Sequence, residues 1–417
     1  MMRESSGGKM NDFAIFMDWA EFAVRWLHVV TAIAWIGSSF YFIALDLGLR
    51  KDAALPPGVH GEQWQVHGGG FYHIQKYLVA PERMPADLIW FKWESYSTWL
   101  SGFALLALVY YLGADLYLVD PNVLDIPVWQ AVCLSLASLG LGWLIYDTIC
   151  KSRFGDDNTR LMIGLYVILV VMAWGYTQVF SGRAALLHLG AFTATIMTAN
   201  VFLVIMPNQR IVVADLIAGR VPDAKYGRIA KQRSTHNNYL TLPVVFLMLS
   251  NHYPLAFASE MNWLIASLVF LMGVTIRHWF NSHHAHKGNP HWTWAVTAIL
   301  FVVIVWLSST PMFRPAPEEA ALPPGAERFA AAEGFAEVTD IVLGRCSMCH
   351  AAEPGWPGIH YAPKGVHLET GRQIALLARE IYLQAGVTHA MPPANLSYIE
   401  PAERAKIVEW YRAGAAG

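Results

Sequence analysis

Long apolar stretches dominate the first three quarters of this chain of 417 residues. About 20 apolar residues are enough for a helix to cross the hydrocarbon core of a bilayer. Eight such stretches occur, at about 20–45, 99–117, 127–149, 161–180, 184–206, 239–257, 262–281 and 291–309. A segment in lipid must satisfy its own backbone hydrogen bonds, which favours helices. The sequence therefore predicts an eight-helix transmembrane bundle.

The composition supports a membrane protein and excludes other classes. Hydrophobic residues make up 55% of the chain and charged residues 14%, whereas soluble domains have about 25% charged residues. These values exclude an intrinsically disordered protein, and a net charge of −2 gives no reason to expect a nucleic-acid partner. The first stretch contains Glu21 and Arg25 and lacks a small-residue cleavage site, so it is not a cleavable signal peptide.

The composition changes after Thr310. Five prolines occur between Pro311 and Pro324, and the remainder has the composition of a soluble domain. We therefore predict three parts. These are a transmembrane domain at 1–310, a proline-rich linker at 311–325 and a small helical domain at 326–417. The predicted fold class is all-α.

The basic residues predict an orientation. Cytoplasmic connections carry an excess of Lys and Arg, and here that excess lies in the first, third and fifth connections. Those residues are Arg50, Lys51, Lys76, Arg83, Lys92, Lys151, Arg153, Arg160, Arg210, Arg220, Lys225, Arg228, Lys231 and Arg233. The second connection has Asp115, Asp120 and Asp125 but no Lys or Arg. With eight spans, both termini then face outward, and residues 326–417 lie outside the cytoplasm.

One motif indicates a specific cofactor. Cys346-Ser-Met-Cys349-His350 has the C-x-x-C-H spacing of a covalently attached haem c. The two thiols form thioethers with the haem vinyl groups, and the His350 imidazole is expected to bind the iron from one side. A zinc or thiol site is the alternative, but covalent haem assembly outside the cytoplasm agrees with the predicted orientation.

The sixth iron ligand of such a haem is often a Met thioether, which raises the reduction potential. Met391 lies about 40 residues downstream in His389-Ala-Met391-Pro392-Pro393 and is the predicted axial ligand. His360, His367 and His389 are rival ligands. The flanking segments 326–345 and 400–413 have the short amphipathic pattern of a small cytochrome c fold.

Histidines in membrane segments are costly and are therefore candidates for function. Under the predicted orientation, His28, His188 and His252 lie toward the outer leaflet, on the side of residues 326–417. A haem b between helices needs two facing imidazoles, and His28 with His188 is the first pair to consider. A hydrogen-bonded interior histidine is the alternative for each of the three.

A second group of polar residues lies at the inner membrane edge. Arg277 and His278 could hold an anion and remove protons, with His236 as a second candidate base. Glu94 adds a carboxyl group at the same face, although Trp90-Phe-Lys-Trp-Glu94 also suits interfacial anchoring. His283-His284-Ala-His286 has metal-ligand residue types, but it lacks the i, i+4 spacing of a helical zinc site.

Three segments resemble the bacterial membrane-bound urate oxidases, which join a multispanning urate-oxidase domain to a C-terminal cytochrome c domain. They are Asp18-Trp-Ala-Glu21 through Trp35-Ile-Gly37, Phe91-Lys-Trp-Glu94, and Arg277-His278-Trp-Phe-Asn281. With the eight stretches and the single haem motif, the resemblance covers about residues 12–415. Leu27-His28-Val…Trp35-Ile-Gly37 also resembles, more weakly, small haem-binding membrane proteins of tetrapyrrole oxidation and copper handling.

The resemblance implies oxidation of urate with water to 5-hydroxyisourate in the bacterial inner membrane. Electrons would pass to haem c and then to a periplasmic cytochrome c or a terminal oxidase, with a haem b as the second candidate cofactor. Two other functions stay open. One is oxidation of a quinol or a tetrapyrrole on the same scaffold, and the other is a non-enzymatic membrane-anchored cytochrome. The sequence does not determine the oligomeric state.

Overall fold

The computed structural model describes residues 6–51, 54–78, 80–81, 84–85, 87–309 and 321–416, with side chains from Ile15 onward. Arg83 and most of the predicted linker, at 310–320, lie outside the described residues. The fold is mostly helical. The first part contains α1 (Ser6–Gly48), α2 (Trp93–Leu106), α3 (Ala114–Tyr117), α4 (Val128–Lys151), α5 (Asn158–Thr177), α6 (Gly182–Ala199), α7 (Met206–Ile217), α8 (Ala224–Ser250), α9 (Pro254–Phe257), α10 (Asn262–His284) and α11 (Trp292–Ser309).

Six helices in the described part of the chain are long and apolar enough to cross a membrane. They are Ile15–Gly48, Val128–Lys151, Asn158–Thr177, Gly182–Ile217, Asn262–His284 and Trp292–Ser309. In the fourth of these, a π-helical turn at Asn200–Ile205 joins α6 to α7. The predicted spans 99–117 and 239–257 are interrupted, the first after a π-helical turn at Ala107–Tyr111 and the second between α8 and α9. The count of eight spans stays a prediction.

The helices pack around a core centred on α6. Helices α4 and α6 lie so close together that residue 142 of α4 has to be a glycine. A Cβ atom at Gly142 would lie 2.0 Å from Cε2 of Phe192, so only glycine leaves room for that ring. Outward-facing residues of α5 and α11, such as Trp174 and Trp306, are large, apolar and exposed. Such surfaces are compatible with contact to lipid.

A β-hairpin corrects the predicted all-α class. Strand β1 (Val59–His67) pairs in antiparallel fashion with β2 (Gly70–Tyr77) in the first connection. Gly68 and Gly69 have φ angles of 60° and 79°, which suit a type I′ turn with both central residues in the left-handed region. The sequence prediction missed the hairpin because its strands are polar and far shorter than the spans on either side.

The C-terminal part has a separate hydrophobic core. Its helices are α12 (Pro324–Ala330), α13 (Phe335–Arg345), α14 (Ser347–His350), α15 (Gly371–Leu376), α16 (Ala378–Ile381) and α17 (Pro401–Ala416). Trp410 of α17 is 1% exposed and packs against Phe329 and Phe335. The Trp410 indole donates to the Phe329 carbonyl oxygen at 2.9 Å, which joins the first and last helices of this part.

The two parts meet at one end of the bundle, which we call the docking end. Arg379 forms ion pairs with Asp18 and Glu21 of α1. Arg328 lies 3.4 Å from Asp115, in the acidic second connection. The hairpin lies at the other end of α1, which we call the hairpin end. The C-terminal part therefore lies on the side of the second connection, as the predicted orientation requires.

Candidate functional site

A cleft of about 610 Å³ runs along α1 and is also lined by α2, the α6–α7 rod and α8. His28 lines it toward the docking end, and Asp46 and Lys76 line it at the hairpin end. Eighteen residues of α1 separate His28 from Asp46, which is about 27 Å at 1.5 Å per residue. The cleft therefore extends over most of the thickness of a bilayer core.

The cleft combines flat apolar walls with hydrogen-bonding groups. Its aromatic lining residues are Trp35, Phe42, Trp90 and Phe91, and its polar ones include Ser38, Ser39, Ser95, Thr98, Gln209, Ser234, Asn237 and Thr241. Largely apolar pockets with a few placed polar groups are typical of small-molecule sites. This lining suits a flat ring that carries several donors and acceptors.

A smaller cavity of about 180 Å³ lies beside the cleft, and His28 lines both. The His28 Nδ1 donates to the Thr98 carbonyl oxygen at 3.0 Å, and no hydrogen bond to its Nε2 is found among the described residues. A Cβ atom at Gly102 would lie 2.7 Å from His28 Cε1, so glycine leaves room for the ring. A histidine that ligates a metal commonly donates its other ring N–H to a carbonyl in this way.

His252 lines the same small cavity, but His188 does not. His188 is fully buried, its Nδ1 donates to the Ala184 carbonyl oxygen and its Nε2 accepts from Ser135 Oγ, both at 2.8 Å. Neither His188 nitrogen is free to bind iron. The structure therefore brings His28 together with His252 and not with His188, the partner that the sequence favoured.

A buried polar network surrounds His236. The His236 Nδ1 is hydrogen-bonded to the Tyr146 hydroxyl at 2.7 Å, and its buried Nε2 has no partner among the described residues. Asn200 donates to the same hydroxyl at 3.3 Å and accepts from Arg233, which pairs with Asp147 at 2.7 Å. Asn200 also donates to Asn237, a lining residue of the cleft. The network thus connects His236 to the cleft wall.

Arg277 and His278, predicted to act together, lie in different surroundings. Arg277 is 5% exposed, donates to Asn238 and Asn281, and its guanidinium lies 4.1 Å from the Phe40 ring centre. His278 is exposed, with its ring 6.2 Å from that of Trp292. Neither residue lines the cleft. The structure does not bring these two side chains together at one site.

The remaining inner-edge candidates have distinct positions. Glu94 lies in the first turn of α2, and its Oε2 is buried without a partner. His283 is hydrogen-bonded to Asn289 at 2.8 Å and stacks on Trp279. Within the described ranges, no three His, Cys, Asp or Glu side chains cluster as metal ligands.

The C-x-x-C-H motif lies where α13 passes into α14. The backbone amides of Cys349 and His350 donate to the Cys346 carbonyl oxygen at 3.1 and 3.0 Å, which forms a tight turn. The His350 Nδ1 donates to the Val366 carbonyl oxygen at 2.9 Å and leaves Nε2 as the nitrogen for a metal. Burial raises the pKa of the Cys346 thiol to about 11, with the Cys349 thiol adding to the effect.

The Met391 loop is held by a buried arginine. Arg404 of α17 is 7% exposed and donates to the carbonyl oxygens of Ala385 and Met391 and to Asn395 Oδ1. The Met391 side chain is 37% exposed. Of the rival ligands, His360 and His389 are exposed, and His367 lies 3.9 Å from Glu369.

The sequence prediction missed most of the polar network and the role of the hairpin. Asp147 and Asn200 lie inside the apolar stretches 127–149 and 184–206, and polar groups in such stretches are themselves a signal of function. Arg233 was counted only as a charge of the fifth connection. The position of Lys76 at the cleft depends on the pairing register of β1 and β2. The residues next to Lys76 in the sequence therefore do not indicate that it reaches the cleft.

Comparison with family models finds a match to the urate oxidase N-terminal family over residues 14–308. No curated protein and no solved structure matches the chain. The matched residues contain every described side chain that lines the cleft and the small cavity, and they end before the C-terminal part. Since the match spans well over half of the chain, the protein belongs to the urate oxidase N-terminal family.

Proposed function

We propose that this protein is a membrane-bound urate oxidase that passes electrons to a haem c attached at Cys346 and Cys349. The observation that carries the proposal is the cleft within the family-matched residues, with aromatic walls and hydrogen-bonding groups suited to a purine ring. The six apolar helices support a location in the bacterial inner membrane. The acidic docking end then faces outward and the hairpin end faces the cytoplasm, with both termini outside.

The reaction balances without oxygen as a reactant. The urate anion and one water give 5-hydroxyisourate, one proton and two electrons, with the new C–O bond formed at the oxidised purine carbon. The protein must therefore bind an anion, remove protons and export electrons. A residue that accepts a proton in the reaction must be connected to the substrate by hydrogen bonds and be able to change charge.

We propose His236 as the base; it does not line the cleft, and its hydrogen-bond network reaches the cleft wall through Asn200 and Asn237. Its Nε2 is buried without a partner among the described residues, and Tyr146 fixes the other ring nitrogen. The network continues through Arg233 and Asp147 to Lys151, which is 70% exposed, and these ion pairs hold the network in place. Glu94, with its unpartnered Oε2, is the second candidate. Arg277 is held by two asparagines, so its role is to position α8 against α10.

The residues of the C-terminal part fit a haem c. Two cysteines precede a histidine whose Nε2 is left free, and Arg404 holds the Met391 loop. Met391 would be the second side chain to hold the iron. When bound, haem c would supply one-electron transfer, with a periplasmic cytochrome c or a terminal oxidase as the proposed acceptor.

A haem b ligated by His28 and His252 is the second proposed cofactor; the small cavity of about 180 Å³ is less than the volume of that group, so the helices around it would have to separate further to admit it. The support is the free Nε2 of His28, the space that Gly102 leaves and the position of His252 on the same cavity. Such a group would provide an electron-transfer centre between the cleft and the C-terminal part. His188, whose two ring nitrogens are both hydrogen-bonded, is the less favoured ligand.

The test is an anaerobic visible spectrum of the detergent-purified full chain before and after addition of urate. We expect a reduced c-type α-band and loss of urate, together with a b-type band if the small cavity holds haem. Reduction by dithionite but not by urate would overturn the proposal. Quinol and tetrapyrrole donors would then separate an oxidoreductase of another substrate from a non-enzymatic cytochrome.

A further inference from the structure

The β-hairpin is attached to the end of α1 that borders the cleft. Arg50 and Glu62 exchange backbone hydrogen bonds of 2.8 and 3.0 Å, and the Tyr41 hydroxyl donates to Gln65 at 2.8 Å. These contacts fix β1 against α1, and the antiparallel register then fixes β2. Lys76, near the end of β2, is thereby placed at the mouth of the cleft.

Lys76 is distinctive among the lining residues. Of the described side chains that line the cleft, it is the one Lys or Arg, and Asp46 is the one carboxylate. The Lys76 Nζ donates to Asp46 Oδ1 at 2.6 Å. An anion that enters this largely apolar cleft therefore meets a single fixed cation, already paired with a carboxylate.

The ion pair between Lys76 and Asp46 is exposed to solvent, so a substrate anion can take the place of Asp46. The side chains of Lys76 and Asp46 are 41% and 43% exposed, and ion pairs with such exposure contribute little to stability. A ligand anion can replace Asp46 at little cost. The flat substrate could also contact the aromatic walls, which Asp46 does not.

The surroundings of the pair are cationic. His60 of β1 lies near Lys51, Lys76 and Lys231, and burial, followed by the charges of Lys51 and Lys76, lowers the pKa of this imidazole. Asp46 is the one neighbouring charge that raises the pKa of His60. A cationic mouth attracts anions and raises their local concentration.

We propose that Lys76 captures the anionic substrate at the mouth of the cleft by exchanging its Asp46 partner for the substrate's negative charge. This inference rests on the proposed function and assigns the hairpin a part in substrate recognition. Asp46 competes with the substrate and keeps Lys76 oriented when the cleft is empty. Lys76 is then a specificity-determining residue for anions and takes no part in proton or electron transfer.

The test uses the full chain with its haem and measures the initial rate of urate-dependent haem c reduction. For Lys76→Met we expect KM for urate to rise several-fold, because the substrate loses the one Lys or Arg among the described side chains that line the cleft, with kcat within about two-fold. Lys76→Arg should restore most of the affinity. Asp46→Asn should lower KM, since it removes the competing carboxylate.

Two further measurements test whether Lys76 binds urate directly or only adds to the positive charge at the mouth of the cleft. Equilibrium dialysis of urate against dithionite-reduced protein reports binding without turnover, and Lys76→Met should weaken it by the same factor. Lys51→Met removes a neighbouring charge that does not line the cleft, so its effect should be much smaller. An unchanged KM and an unchanged dissociation constant in Lys76→Met would overturn the inference while wild-type urate oxidation still stood. Absence of urate oxidation by the wild type would overturn the proposed function and this inference together.

Discussion

The cleft and the C-x-x-C-H region differ in how their sites are assembled. In the C-terminal part, Cys346, Cys349 and His350 lie within five consecutive residues, and one backbone carbonyl orients the imidazole. The cleft takes its lining residues from α1, the hairpin, α2, the α6–α7 rod and α8. A local site can be identified from spacing alone, whereas the cleft exists only after distant segments have packed.

The polar groups do not separate the two regions so clearly. Arg404 holds the Met391 loop by direct hydrogen bonds, yet Glu380 Oε2 and Ser397 Oγ of the C-terminal part are buried without partners among the described residues, as are His236 Nε2 and Glu94 Oε2 of the bundle. An unsatisfied buried polar atom costs about 1–3 kcal/mol, so each of these groups is a site to test by substitution. Four substitutions test this comparison.

The largest effect is expected from the double substitution Cys346→Ala and Cys349→Ala. Without thiols there is no covalent attachment, so the c-type α-band should be lost completely and urate-dependent electron output should disappear. Urate binding should persist because the cleft lies in the other part. Haem staining after denaturing electrophoresis measures attachment, and equilibrium dialysis measures binding. Loss of both properties at once would show that the two parts do not function separately.

The sequence predicted a mostly helical fold with several long apolar helices because those patterns are local. The haem c site at Cys346, Cys349 and His350 rests on spacing alone and stays a prediction. It did not predict the hairpin, because its strands are polar and its stability comes from pairing and from contacts such as Tyr41 to Gln65. It also paired His28 with His188, since depth in the membrane cannot reveal which nitrogens are already bonded. Asn200 and Arg233 could be recognised as one network only when α6 and α8 were in place.

Substitution of His28 tests whether the bundle, like the C-terminal part, binds a haem through a histidine. We expect His28→Ala to remove a b-type band completely while the c-type band remains, because its free Nε2 is the proposed ligand. His188→Ala is the matched control. It should keep the b-type band and instead lower the melting temperature, since it removes a fully buried ring and its hydrogen bonds to Ala184 and Ser135. A b-type band that survives in His28→Ala but not in His188→Ala would restore the sequence-based pairing.

A smaller but measurable effect is expected at His236. His236→Gln can keep a hydrogen bond to Tyr146 but cannot accept a proton at neutral pH, so kcat for urate should fall about 100-fold or more, as for loss of a general base. His278→Gln is the control, because that side chain is exposed and lies outside the buried network of His236, and its kcat should stay within about two-fold. Steady-state haem c reduction measures both variants. The opposite ranking would place the base on the exposed face of α10.

The smallest effect is expected where the two regions meet. Arg379 holds the C-terminal part to Asp18 and Glu21, but its side chain is 29% exposed, and such partly hydrated pairs contribute about 1 kcal/mol or less. Arg379→Gln should therefore slow urate-dependent haem c reduction only a few-fold, by loosening the contact, while KM for urate stays unchanged. Lys406→Gln breaks the pair with Glu337 on the surface of the C-terminal part and should leave the rate unaltered. Stopped-flow absorbance resolves the difference. Equal slowing in both variants would mean that stability of the C-terminal part, and not its docking on α1, limits the transfer of electrons out of the bundle.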